Sequence, residues 1–272
     1  MTVANQKGGV GKTTTAVNIA AALAQAGLTV LVLDNDPQGN ASTALGITHH
    51  EGVPGMYEVL VEGRDLADVV QECPHVPNLW CAPATIDLAG AEIELVPMVA
   101  RETRLRLALQ RYLADRQQAG LSRIDYVLVD CPPSLGLLTV NAFAAAQEIF
   151  IPIQCEYYAL EGLSQLLKNI ELIKAHLNPT LAVSTIVLTM FDGRTRLAAD
   201  VADEVRAHFP DLVLKTSVPR SVRISEAPSR GQTVMTYDPG SSGALSYFSA
   251  AQEIAERAST SSPPTPGRSS GE

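Results

Sequence analysis

Near the start of the chain, three glycines, two lysines and a row of threonines stand together in the run Asn5-Gln6-Lys7-Gly8-Gly9-Val10-Gly11-Lys12-Thr13-Thr14-Thr15. Residue types at this spacing hold phosphate. Gly8, Gly9 and Gly11 let backbone N–H groups, those of Val10 and Thr14 among them, converge on an anion, and a helix starting beside them adds its dipole. Lys12 is spaced to reach β- and γ-phosphates, and the Thr13 hydroxyl to hold Mg²⁺. The full pattern G-x-x-x-x-G-K-[ST] asks for glycine at position 6, where this chain has Gln6, with Lys7 at the mouth of the loop.

Two acidic strand ends are the next candidates. The apolar run 29–33 stops at Asp34-Asn35-Asp36-Pro37-Gln38-Gly39-Asn40, and the run 124–129 stops at Asp130, before Cys131-Pro132-Pro133-Ser134. A carboxylate ending a buried strand beside a phosphate loop orients Mg²⁺ through water, which fits Asp130. Asp34 reads equally as support for the metal or as a cap for its turn. A third set is basic. The chain as a whole is at −9, yet residues 190–230 hold seven basic side chains against six acidic ones. On charge alone that is a solvated surface.

The elements that must position these groups alternate. A short strand at 2–4 leads into a helix carrying Val17, Ile19, Ala20, Ala21, Leu23 and Ala24, which ends near Gly27. Helical pieces are expected at 56–62 and 66–71, a strand at 79–82, and an amphipathic helix over 101–118 with Leu105, Ala108, Leu109 and Leu113 on its inner stripe. Strands at 148–153, 181–189 and 212–218 alternate with helices at 160–175, 198–208 and 243–258. Residues 219–231 read as loop. Continuous apolar strands separated by helices predict an α/β fold, a single doubly wound, mostly parallel sheet with helices on both faces, of the P-loop NTPase type. One domain is expected over 1–258, with a disordered Ser/Pro-rich tail over 259–272. Cys73, Cys81, Cys131 and Cys155 show no C-x-x-C pairing, which predicts neither a metal site nor disulfides. No signal peptide and no membrane span is expected.

KGGVGKTT with its extra lysine, DNDPQGNAS, VDCPPS, EYYALEG and PRSVRISEAPSRGQ together resemble the ParA/Soj chromosome- and plasmid-partitioning ATPases. The resemblance is collinear from about residue 2 to 257, and its class, marked by a deviant Walker A loop, includes MinD. It implies ATP and Mg²⁺ as cofactors and a homodimer that sandwiches ATP, with Lys7 reaching the partner's nucleotide. Asp36 would position the attacking water, and Asp130 would serve the metal. Pro132, Pro133 and Ser134 would form a γ-phosphate switch or simply a stiff loop. The 219–225 loop, with Pro219, would pack the adenine. Arg194 and Arg223 would bind double-stranded DNA without reading bases, and Arg220 would lie at DNA or near the nucleotide. A ParB/Spo0J-like centromere-binding protein is the implied partner, and a cytoplasmic, nucleoid-associated location the implied site of action. The first strand is shorter than is usual for the family, which leaves the natural start open at the extreme N-terminus.

Three other readings compete. A MinD-like membrane-cycling ATPase would need a Lys-rich amphipathic C-terminal helix, whereas this chain closes in Ser, Pro and Gly with Arg268. An iron–sulfur carrier would need a companion to Cys131, which therefore reads as a small buried residue. A positioner of non-DNA cargo stays open.

Overall fold

The computed structural model describes residues 1–261. Its strands are β1 (Thr2–Val3), β2 (Val30–Asp34), β3 (Gln71–Glu72), β4 (Leu79–Ala82), β5 (Tyr126–Asp130), β6 (Glu148–Gln154), β7 (Ala182–Phe191) and β8 (Val213–Pro219). They form one sheet in the order β3-β4-β2-β5-β1-β6-β7-β8. All neighbours are parallel except β3, which pairs antiparallel with β4. Parallel neighbours need long crossovers, and these are the helices.

Alternation along the strands assigns the faces. In β2, Val30 and Val32 enter one core while Leu31 and Leu33 enter the other. The first core is covered by α1 (Lys12–Gln25), whose alanines allow close approach to the sheet, together with α10 (Ser242–Ser261). In β6, Phe150 joins this side and Ile149, Ile151 and Ile153 point the opposite way. The opposite face is covered by α4 (Arg104–Gln118), α5 (Leu137–Ala145), α6 (Ala159–His176) and α7 (Arg196–His208). Helices on both faces of a mostly parallel sheet match the expected doubly wound class.

Several local expectations need correction. The helix expected over 101–118 begins at Arg104, and Leu113 is exposed on it while Tyr112 is buried. Tyr112 carries its apolar ring inward and accepts a hydrogen bond from Arg116 at its hydroxyl, so the inner stripe is shifted by one residue. The helical piece expected at 66–71 stops after Asp68, because Gln71 and Glu72 pair with Cys81 and Trp80 as an edge strand. Two residues are too few to show alternation. The expected loop 219–231 contains α8 (Val222–Glu226) and a 3-10 turn (Ala227–Arg230), and α9 (Val234–Tyr237) follows closely. Pro219 and Pro228 break longer periodicity there, so only short helices fit between them. Two further short helices, α2 (Asn40–Ala44) and α3 (Leu88–Glu94), were not anticipated, nor was α5. α10 continues through Ser261, three residues into the expected tail, and the rest of that tail lies outside the described residues.

Candidate active site at the carboxyl edge of the sheet

The chain leaves the short central β1 and turns sharply into α1. Gly9 (φ 74°) and Gly11 (φ 83°) are in the left-handed region, where an L side chain is strained. A Cβ at Gly8 or Gly9 would meet nothing within 4 Å, so this backbone faces open space. Val10 is buried instead, and its carbonyl accepts the Thr189 hydroxyl at 2.8 Å, which fastens the loop to the end of β7. Lys12 is 7% exposed and donates to the Lys7 carbonyl at 3.2 Å. Burial lowers its pKa, and the carboxylates of Asp130 and Asp36 push it back up. A bound anion would join these acids in favouring the charged form of the lysine.

Asp34 and Asp130 stand opposite one another at the ends of β2 and β5, both fully buried. Their situations differ. Asp34 accepts the Ser42 N–H at 2.8 Å, the Ser42 hydroxyl at 2.6 Å and, weakly, the Asp36 N–H at 3.4 Å. It therefore ties the turn to α2. Of its two candidate roles, the geometry supports the cap, and Asp34 does not line the cavity described below. Neither oxygen of Asp130 has a hydrogen-bond partner of good geometry. Burial and then the charge of Asp34 push its pKa well up, while the nearby Thr13 hydroxyl and Lys12 favour its charged form. Orphaned buried carboxylates are rare in folded proteins and require an occupant or a proton. A hydrated divalent cation between Thr13 and Asp130 fits this arrangement.

A cavity of about 480 Å³ opens from the loop, within the range of small-ligand sites. Gly8, Gly9, Gly11, Lys12, Thr13 and Thr14 form its floor, and Asp36 and Gln38 one wall. Pro133 lines it on the β5 side. Ile224, Ala227, Pro228 and Val234 make an apolar wall opposite, suited to a planar base. Pro219 closes β8 beside Phe191 and does not contribute; the wall comes from the short helices that follow it. Asn18 was missed from sequence. It lines the cavity, donates to the Thr14 carbonyl at 2.7 Å and accepts the Val234 N–H at 2.8 Å, joining floor to wall. A polar residue inside an otherwise apolar helical run, four after Thr14, was its signal. Met190 also lines the cavity, with φ 49°, and nothing in its sequence context marks it.

Lys7 does not line its own cavity. Its ammonium donates to Glu156 at 2.5 Å, and Glu156 also accepts from Gln154 at 2.5 Å. The arginines lie at the same sheet edge. Arg194 forms a two-pronged pair with Asp192, at 2.8 Å for both contacts. Arg223 lies between Glu226 at 3.1 Å and Asp238 at 3.2 Å. Arg220 is exposed, and its charge helps lower the Asp192 carboxyl. Each of the two expected DNA contacts therefore has an acidic partner in its own chain.

A strand, a glycine loop and a helix N-terminus, with an unpartnered carboxylate on the adjacent strand, define a P-loop nucleotide hydrolase. Comparison with known proteins narrows this. Residues 1–183 match the family described as AAA domain. The chain is 51% identical over 253 residues to the sporulation initiation inhibitor protein Soj of Bacillus subtilis, covering 93% of this chain and 96% of that one. It is 48% identical to the chromosome partitioning protein ParA of Myxococcus xanthus over 96% of this chain and 89% of that one. Among solved structures, cobyrinic acid a,c-diamide synthase from Mycobacterium smegmatis with bound ATP analog and magnesium is similar with a TM-score of 0.79 at 34% identity, covering 95% of each chain. The septum site-determining protein MinD of Pyrococcus horikoshii, complexed with Mg-ADP, shares the fold with a TM-score of 0.71 at 24% identity, over 95% of this chain and 96% of that one. This chain belongs to the Soj/ParA family of chromosome-partitioning ATPases.

Proposed function

We propose that this ATPase moves DNA by cycling between a single copy and an ATP-bound pair. ATP occupies the loop cavity with its base against Ile224, Ala227 and Pro228, and Lys12 and the loop amides hold its phosphates. Mg²⁺, held by Thr13 and through water by Asp130, would neutralise charge on the phosphates. Asp36, on the cavity wall, orients the attacking water. Two copies close face to face, and Lys7 leaves Glu156 for the partner's phosphates, where a cation supplied in trans makes hydrolysis depend on pairing. The pair presents Arg194 and Arg223 twice over to double-stranded DNA, which it binds without base readout, with Arg220 in support. A ParB/Spo0J-like partner then stimulates slow hydrolysis and release. The cycle runs in the cytoplasm, on the nucleoid.

The observation that carries this reading is the position of Lys7. The loop cavity has its own lysine in Lys12, while the second one is held outside it on Glu156. Among the described residues no helix is long and apolar enough to cross a membrane.

DNA binding across a salt series with ATP, ADP or no nucleotide tests the proposal. Four arginines on phosphates give a slope of log K against log salt of about −3.6, or roughly a hundredfold loss between 50 and 200 mM. Binding should require ATP and ignore sequence. Equal binding without nucleotide would sink the proposal.

A further inference from the structure

The segment Pro132–Gly136 leads directly into α5, and the group that starts this helix comes from elsewhere in the chain. No side chain of its own caps the helix at Gly136. Its first two amides, of Leu137 and Leu138, donate to the Glu92 carboxylate at 2.8 and 3.3 Å. An acid in this position satisfies two orphan donors and complements the helix dipole. Gly136 has φ −90° and ψ −169°, open to any residue, yet a Cβ there would collide with both Glu92 oxygens. The glycine makes room for Glu92; no turn requires it.

Glu92 belongs to α3, and the chain entering α3 is anchored at the other strand end. The Ala84 N–H donates to the Ser42 hydroxyl at 3.2 Å, and that hydroxyl donates to Asp34. Residues 84–92 thus span from the β2 end, which carries Asp36, to the β5 end, which carries Asp130 and Pro133. Thr139 closes the first turn of α5 onto the Ser134 carbonyl at 2.7 Å.

We infer that Glu92 is a positioning residue for ATP hydrolysis. By fixing the first turn of α5, onto which the Ser134 carbonyl is tied, it holds Pro133 in the lining of the cavity. Glu92 itself is not on the cavity wall. The inference rests on reading 132–134 as the segment that senses the γ-phosphate.

The test is a mutant cycle with Glu92→Ala, Glu92→Gln, Gly136→Ala and the double Glu92→Ala/Gly136→Ala. For each protein, kcat and KM for ATP, equilibrium binding of Mg·ADP and of a non-hydrolysable Mg·ATP analogue, and Tm are measured. Glu92→Ala should lower kcat about tenfold, a loss expected from misplacement alone, and weaken the ATP analogue while leaving ADP within about twofold. Glu92→Gln keeps one acceptor oxygen and should recover most of the loss. Gly136→Ala should reproduce Glu92→Ala, and added to it should cost less than about twofold further, because the group it collides with is gone. Unchanged kcat in Glu92→Ala overturns the inference. So does a fall in ADP binding and Tm that accounts for the loss of kcat, since that is a purely structural cap. If the wild type binds ADP and the ATP analogue alike and pairs with neither, the γ-phosphate reading itself fails, whatever the cycle shows.

Discussion

Burial lowers the pKa of Lys12, and the carboxylates of Asp130 and Asp36 act against that lowering. Removing Lys12 should leave the phosphates in a single copy without a lysine from their own loop cavity. Two charge-assisted hydrogen bonds at about 1.5 kcal/mol or more each predict at least a roughly hundredfold loss of ATP affinity for Lys12→Ala. Calorimetry giving wild-type affinity would dismiss the phosphate-loop assignment. The Asp36 carboxylate faces the same cavity and accepts the Gln38 N–H at 3.0 Å on one oxygen, leaving the other for water. Asp36→Ala should therefore bind ATP and stall before hydrolysis. Light scattering should find it at twice the monomer mass with ATP and at monomer mass with ADP; a monomer with both contradicts its role.

At the scale of elements, α8, the 3-10 turn and α9 do two jobs. Ile224, Ala227, Pro228 and Val234 wall the cavity, while Arg223 sits in the same short stretch between Glu226 and Asp238. Phosphate must compete with these carboxylates for Arg223. Glu226→Gln should strengthen ATP-dependent DNA binding several-fold, more than the remote charge control Glu171→Gln does, and Arg223→Ala should weaken it while still pairing with ATP. Equal effects of the two glutamine variants on filter binding would show a general charge effect. This stretch also shows what sequence can and cannot convey. The positions of the glycine loop, Lys12 and Asp130 at the carboxyl ends of strands were legible because they lie in contiguous residues or close long apolar runs. The acidic partners of the arginines were not, because Glu226 and Asp238 are brought to Arg223 by helices four and five residues long. Leu113 misled because a stripe at helical spacing can shift one residue when a tyrosine offers an apolar ring with a polar tip. Pro219 misled for a related reason: β8 extends as far as Pro219, and the cavity lining from this stretch begins at Ile224.

For the molecule as a whole, α10 closes the α1 face, and Glu253 ties it to β8. Its carboxylate accepts from the Lys215 N–H and the Thr216 N–H at 2.8 Å each, and from the Thr216 hydroxyl. Burial alone would raise its pKa, but these bonds outweigh burial and hold it below its ordinary 4.5. A carboxylate lowered in the folded state contributes stability above its unfolded pKa, and that contribution is lost as pH falls through the folded value. Glu253→Gln should thus lower Tm at pH 7, with the gap to wild type narrowing below about pH 4. A gap constant with pH in thermal melts would assign the tie to packing alone.

The cavity walls come from residues as far apart as Gly8 and Val234. On a ribosome adding about 5–20 residues per second, the glycine loop waits roughly 11–45 s before its last wall is made. For that interval the loop has a floor without a base wall, so the nucleotide cannot act as an early template for folding. The newborn chain gains its whole cavity only once synthesis has passed Val234, and a product broken off before that residue lacks part of the base wall.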